Sequence, residues 1–273
     1  MNDESGLYTR SVKRILLGAG SMTLVVALVV TSSGALLRTH EFISVNLFPS
    51  AERAYAYGVR HFDARRSRDY DIHHAEIMFK KSLRLNPQQP FAQHQLGRIE
   101  FLRGDITRAL ARINAEIATN PSPSPSSYYV RALIEGYMGD YEDAAKDYEV
   151  YLKTDPNNWA AINDYAWVLL KNSRALDALV ALDWGLLYWP GNAWLLNSKI
   201  TALFELGEMD KARETVALAG KAVMSITESD WMRAYPGNDP LIAREGVLAF
   251  QEAVRANIHT IAIARQDGSK GVR

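Results

Sequence analysis

The chain has 273 residues, enough for one or two domains with a substantial core. It carries 31 Lys and Arg against 31 Asp and Glu, so its charge gives no support for nucleic acid as a partner. It contains no cysteine, which excludes disulfides, thiolate zinc sites, iron–sulfur clusters and cysteine nucleophiles.

The first feature along the chain is a run of 23 residues, 15–37, that carries no formal charge. As a helix this run would be about 34 Å long, enough to cross the hydrocarbon core of a bilayer. Arg10, Lys13 and Arg14 precede it, so the positive-inside rule places residues 1–14 in the cytoplasm and the rest of the chain across the membrane. We therefore predict a retained signal anchor that forms one transmembrane helix.

Two other interpretations of residues 15–37 stay open. A cleaved signal peptide fits the small residues Ser33-Gly34-Ala35, although the run exceeds the roughly 7–15 apolar residues of a usual signal. A buried core helix is disfavoured by the basic flank and the terminal position. The sequence also lacks an Asn-x-Ser/Thr glycosylation site. We therefore expect a single-pass protein of the bacterial inner membrane whose C-terminal part faces the periplasm.

The rest of the chain repeats with a period of 34 or 35 residues. The period is marked by Pro87, Pro121, Pro156 and Pro190, and an alanine falls twelve residues before each proline. Small residues such as Gly97 recur between the prolines, and Gly-Asp pairs fall near the middle of two units. This pattern predicts two antiparallel helices per unit, because proline ends a helix, Gly-Asp links two helices, and small residues let them approach closely.

These marks resemble the tetratricopeptide repeat (TPR) family. The best matches to its pattern of Leu-Gly, Ala, an aromatic residue and Pro are Leu96-Gly97 with Ala109 and Pro121, and Ala144 and Tyr148 with Pro156. The resemblance covers residues 51–222 as about five repeats. It implies an all-α fold, a right-handed superhelical α-solenoid of TPR-like helix hairpins, here preceded by one transmembrane helix. It also implies binding to proteins or peptides.

The pattern weakens after the fifth repeat. Residues 223–265 are predicted to cap the solenoid, with a loop over 225–240 that contains Trp231, and then a final helix. Residues 266–273 are predicted to be disordered. Most of the tryptophans are expected in the core.

The sequence shows no convincing catalytic constellation, so we expect no enzyme activity and no cofactor. His61, His73 and His74 lie close in sequence, but adjacent histidines point about 100° apart on a helix. We therefore predict no metal site there.

The first helix of each TPR unit lines the concave face of the solenoid. Aligning the units by their prolines directs a mixture of aromatic and amide side chains into that groove. The predicted partner-binding residues are Arg98, Tyr129, Tyr137, Asn163, Trp167 and Asn197. The two asparagines occupy equivalent positions, and their amides are suited to holding the backbone of an extended peptide.

From these features we predict a membrane-anchored scaffold or adaptor in the bacterial cell envelope, which binds protein or peptide partners through its groove. One alternative is a periplasmic chaperone-like carrier of exported clients. Another is an enzyme whose site lies in the C-terminal segment around Glu228, Asp230 and Glu245.

Overall fold

A computed structural model describes residues 35–63, 68–120, 124–235 and 237–268, and the regular secondary structure within these ranges is entirely helical. The helices are α1 (Ala35–Leu47), α2 (Ala51–His61), α3 (Ile72–Leu85), α4 (Ala92–Leu102), α5 (Ile106–Thr119), α6 (Pro125–Met138), α7 (Tyr141–Leu152), α8 (Trp159–Lys171), α9 (Ala175–Tyr188), α10 (Ala193–Glu205), α11 (Met209–Met224), α12 (Glu228–Ala234) and α13 (Ala243–Gly268). Helices α2 to α11 form five successive hairpins, each packed on the next. The predicted all-α solenoid is therefore confirmed.

Glycine takes the turn position that the Gly-Asp pattern predicts in the second and third hairpins. Gly104 and Gly139 adopt left-handed backbone conformations, with φ of +80° and +92°, and Asp105 caps α5 by accepting a hydrogen bond from the Arg108 amide. Asp140 precedes α7 without a side-chain bond of this kind. In the fourth hairpin Ser173 takes the left-handed position with φ of +58°, although it carries a side chain.

Small residues allow the paired helices to approach as predicted. A Cβ atom on Gly97 would lie 2.8 Å from Cδ1 of Ile113 on the partner helix. A Cβ atom on Gly58 would lie 2.5 Å from the ring of Phe79. Ala132 and Ala166, at equivalent places in later hairpins, are fully buried. The recurring small residues therefore mark the contact lines between helices.

Four of the six tryptophans are buried or pack against the core, in line with the expectation, and two lie at the surface. Trp194 is buried between α8, α10 and α13. Trp184 and Trp189 are both about half exposed and donate their indole N–H groups to the carbonyl oxygens of Pro156 and Asn157. Their aromatic faces lie at the surface, while their polar edges hold the loop between α7 and α8.

The C-terminal segment packs on the end of the solenoid. Val254 and Ile261 of α13 are buried in a cluster with residues of α10 and α11. The stretch expected to be a loop contains the short helix α12, which begins with a capping box between Thr227 and Asp230. Helix α13 continues through Gly268, three residues into the predicted disordered tail, and residues 269–273 lie outside the described residues.

The predicted transmembrane helix lies almost wholly outside the described residues, which begin at Ala35. Within the described ranges, no helix combines the length and the apolar character that a membrane crossing requires. Helix α1 packs on the first hairpin through Val45, which is buried, and Arg53 donates to the carbonyl oxygen of Ser44 at 3.0 Å.

Candidate peptide-binding site

The first helices of successive hairpins form a continuous inner wall. Helix α4 contacts α6, α6 contacts α8, and α8 contacts α10, each pair lying on neighbouring hairpins. The six predicted partner-binding residues all lie on these helices. The structure distributes them among four different environments, which we describe in turn.

A polar network occupies the middle of the inner wall. The Tyr129 hydroxyl donates to one carboxylate oxygen of Asp164 at 2.7 Å, and the Asn163 amide contacts the other at 3.4 Å. The Ser198 hydroxyl donates to the Asn163 side-chain oxygen at 2.8 Å. Burial raises the pKa of Asp164 to about 6, although the hydrogen bonds from Tyr129 and Asn163 oppose this rise. Tyr129 and Asn163 thus serve an internal network.

A loop from the C-terminal segment crosses to the opposite end of the inner wall. We call its described residues Tyr235, Gly237, Asn238 and Asp239 the groove loop. The Trp194 indole donates to the Tyr235 hydroxyl at 3.0 Å, and the Tyr70 hydroxyl donates to the Gly237 carbonyl oxygen at 2.7 Å. The second bond joins residues 167 positions apart in the chain. The fifth hairpin and the first are therefore linked across the groove.

Arg98 lies under this loop and faces the first hairpin. Its guanidinium carbon is 4.8 Å from the centre of the Phe62 ring, and its Nη1 donates to the side-chain oxygen of Gln95 at 3.0 Å. A Cβ atom on Gly237 would lie 2.9 Å from Nη2 of Arg98 and 3.1 Å from Phe62. Gly237 is thus fitted closely against Arg98, and its left-handed φ of +100° favours glycine there for a second reason. Burial lowers the pKa of Arg98.

Three aromatic side chains on successive inner helices pack on one another. Tyr137 lies between Phe101 and Trp167, with ring centres 5.3 Å and 5.6 Å away. We call these three residues the aromatic strip. Tyr137 is 65% exposed, and the ring of Trp167 rests against Gly136, where a Cβ atom would lie only 2.8 Å away. Phe101 and Trp167 are partly buried, so the strip exposes mainly the Tyr137 ring, which packs between them.

Asn197 was predicted to hold a peptide backbone together with Asn163, but it binds another part of this chain. Its side-chain oxygen accepts a hydrogen bond from the Asn257 amide of α13 at 2.9 Å. His94 on α4 is buried, and its Nδ1 atom lies 3.0 Å from the Ser127 hydroxyl. Burial lowers the pKa of His94 to about 3. These two positions therefore stabilise packing between neighbouring elements.

Sequence reasoning missed Asp164 and the groove loop. Asp164 follows Asn163 and lies 35 residues after Tyr129, one repeat length, so the period itself could have indicated their pairing. The groove loop left no such signal, because it lies outside the repeats. Asp230, one of the acids considered for catalysis, serves the capping box of α12. Among the described residues, Glu41, His61 and His74 form a group that could hold a metal ion, which the sequence analysis did not predict.

Solved structures similar to this chain include the TPR proteins MamA and YrrB. The crystal structure of MamA matches with a TM-score of 0.52 and 16% identity, over 63% of this chain and 92% of that chain. A second MamA structure, MSR-1 C2, matches with a TM-score of 0.54 and 16% identity, over 63% and 95%. YrrB, described as a TPR protein with an unusual peptide-binding site, has a TM-score of 0.49 and 16% identity, over 69% and 97%.

A scan against protein-family models and a search of curated proteins each gave no match. At such low identity the structural likeness establishes the fold alone. The resemblance to the TPR family is confirmed at that level, so the chain has a TPR-like fold.

Proposed function

We propose that this protein is a membrane-anchored scaffold that binds a protein or peptide partner along the inner face of its solenoid, in the bacterial cell envelope. It acts by binding rather than by catalysis. The observation that carries the proposal is the aromatic strip, which exposes the Tyr137 ring beside a groove that already holds a segment of polypeptide.

The groove loop supports the inner face as a surface that accepts polypeptide. Tyr70 recognises a backbone carbonyl of the loop, while Arg98 and Phe62 fit closely against Gly237. A hydrogen bond to a backbone carbonyl does not depend on the side chain of the bound residue, so the same chemistry suits other peptides.

The aromatic strip supplies the part of the inner face that is available to a partner. Its rings contact one another and Trp167 packs on Gly136, so their side chains lose little further freedom when a partner binds. Tyrosine and tryptophan are also the residues most often found at binding hot spots. We expect the partner to insert an apolar side chain against Tyr137 and Trp167.

The proposal is tested by removing one exposed ring. Tyr137→Ala in the full-length chain should weaken capture of partners from gently solubilised membranes by tenfold or more, roughly the 1–2 kcal/mol of a hot-spot side chain. Tyr188→Ala is the matched control, because Tyr188 is an exposed tyrosine, at 48% against 65% for Tyr137, that lies at the end of α9, the second helix of its hairpin. Equal loss or equal retention in both variants would contradict the assignment of the binding surface.

The anchor and the location rest on the uncharged run at residues 15–37 and on the basic residues before it. The intact mass of the chain extracted from membranes tests this part. A retained anchor gives the full-length mass, whereas a cleaved signal gives a shorter chain in the soluble fraction. Protease treatment of intact and of permeabilised cells should cut the solenoid only when the periplasm is accessible.

One observation favours the chaperone-like carrier as a second candidate. Helix α9 carries an apolar stripe of Leu176, Val180 and Leu187, which are 62%, 64% and 75% exposed. Such a stripe suits loose binding of many apolar segments. Competition separates the two functions, because unrelated unfolded peptides should displace clients of a carrier but not the specific partner of a scaffold.

A further inference from the structure

Three potential metal ligands from three helices meet beside the first hairpin. Glu41 belongs to α1, His61 ends α2, and His74 lies in the first turn of α3. The Glu41 carboxylate is 3.0 Å from Nε2 of His61 and 2.8 Å from Nε2 of His74. One ligand atom from each residue lies within 4.8 Å of the others. A small adjustment of these side chains would let the three atoms share one ion.

The hydrogen bond on the far side of the His61 ring sets its protonation. Nδ1 of His61 lies 2.8 Å from the carbonyl oxygen of Asp69, and a carbonyl can only accept, so Nδ1 carries a hydrogen. In the neutral ring the lone pair of Nε2 then faces the Glu41 carboxylate. Two electron pairs at this distance require a cation between them, which is either a proton or a metal ion. A histidine that ligates a metal characteristically donates its other N–H to a carbonyl or carboxylate in this way.

The surroundings provide room and further oxygen atoms for an ion. A cavity of about 280 Å³ opens beside the cluster and is lined by Asp71, Asn46 and Met78 as well as the three ligands. Water in this cavity can complete the coordination of an ion held by three protein ligands. Because the side chain of Glu41 is only 7% exposed, its charge also needs strong compensation.

We infer that Glu41, His61 and His74 form a Zn²⁺ site that fastens α1 to the first hairpin. Two imidazoles and one carboxylate are a ligand set that zinc takes when a fourth position is left to water, at about 2.0–2.2 Å from each ligand atom. Imidazole nitrogen disfavours Mg²⁺ and Ca²⁺, which prefer oxygen ligands. His73, which is exposed next to His74, is not part of the site.

Zinc would strengthen the attachment of a helix that otherwise packs on the hairpin through Val45 and polar bonds at the surface. The other polar bonds of α1 to the hairpin include Lys81 to the Asn46 side chain at 2.7 Å and Arg53 to the Ser44 carbonyl at 3.0 Å, both exposed to solvent. An ion that binds the docked form of α1 but not the undocked form shifts that equilibrium toward docking.

The test uses the full-length chain, purified in detergent without a polyhistidine tag and stripped of metal with a chelator. Zinc content after dialysis is measured by mass spectrometry, and affinity by competition with a chromophoric chelator. We expect one zinc per chain in the wild type and in the control His73→Gln. In Glu41→Gln and His74→Gln we expect the affinity to fall by more than about 100-fold, beyond the usual effect of a residue that only supports a ligand.

A second measurement does not depend on any variant. Zinc added to the wild-type chain should slow hydrogen exchange of the α1 amides and leave those of α9 unchanged. Uptake below one ion per chain, or equal uptake by all four proteins, would mean adventitious binding, with an imidazolium–carboxylate pair only at this position, and would overturn the inference. Saturable uptake of another divalent metal in place of zinc would overturn the assignment of the ion.

Discussion

The partly buried carboxyl group of Asp164 makes the stability of the solenoid depend on pH in an unusual direction. Burial raises its pKa from 3.8 to about 6 in the folded state. Between these values the folded chain binds more protons than the unfolded chain, so the free energy of unfolding falls as pH rises. Above about pH 6 the ionised Asp164 carboxylate lowers the free energy of unfolding by an amount that no longer changes with pH. At 1.36 kcal/mol for each pH unit between the two pKa values, the cost is at most about 3 kcal/mol.

Asp164→Asn removes this charge and keeps a side-chain oxygen that can accept from the Tyr129 hydroxyl. We therefore expect the variant to gain stability relative to the wild type by about 2–3 kcal/mol between pH 4 and pH 7.5. Urea unfolding at a series of pH values measures the difference, and other titrating groups cancel between the two proteins. Asp210→Asn makes the same change at a side chain that is 94% exposed and is the control. Parallel pH profiles for wild type and Asp164→Asn would refute the reasoning.

Two predictions concern the backbone and close packing, and urea unfolding tests both. Gly58→Ala should destabilise the fold by about 1–2 kcal/mol, because the cost of overpacking against the buried Phe79 ring exceeds the gain in helix propensity. Gly220→Ala should stabilise the fold by up to about 1 kcal/mol, because the nearest atom to the added Cβ is 4.0 Å away. The opposite signs are the result to check. Ser173→Gly should stabilise by about 0.5–1 kcal/mol, because it relieves a left-handed residue with a side chain, and Gly139→Ser should lose a similar amount.

The repeated part of the fold could be predicted from the sequence because its main contacts are local. Each hairpin packs most extensively on itself, so the small residues at its contact line recur once per unit. Gly97 against Ile113 and Gly58 against Phe79 are such contacts. Ser173 shows the limit of this reasoning, because a serine at the left-handed position gives no distinctive signal in the sequence.

The candidate site was predicted less well, because its contacts join parts of the chain that are far apart. The bond between Tyr70 and Gly237 links the first hairpin to a segment beyond the fifth, and the Asn257 amide of α13 donates to the side-chain oxygen of Asn197. Neither contact repeats, so neither is visible in a period. The same holds for Glu41, which joins His61 and His74 only when α1 docks on the hairpin. Aligning the repeat units placed the six predicted residues on the inner helices. It could not show which of those residues are occupied by contacts with other parts of the chain.

The groove loop competes with any partner that extends from the aromatic strip toward Arg98. If the partner needs the space of the loop, its apparent affinity is the intrinsic affinity multiplied by the fraction of molecules whose loop is displaced. Tyr70→Phe removes the hydroxyl that donates to the Gly237 carbonyl oxygen. The loop-bound form of the groove is therefore destabilised by about 1 kcal/mol relative to the form whose loop is displaced. This raises the displaced fraction, and thus the affinity, about fivefold.

Fluorescence polarisation with a labelled peptide selected on the wild-type chain measures this change. Tyr57→Phe is the control, because its hydroxyl contacts His40 outside the groove and its removal should not alter binding. Unchanged affinity in Tyr70→Phe would confine the partner to the aromatic strip. Weaker binding would mean that the loop forms part of the surface that the partner contacts. A gain that appears only in Tyr70→Phe identifies the loop as an internal occupant of the groove, which the partner must displace.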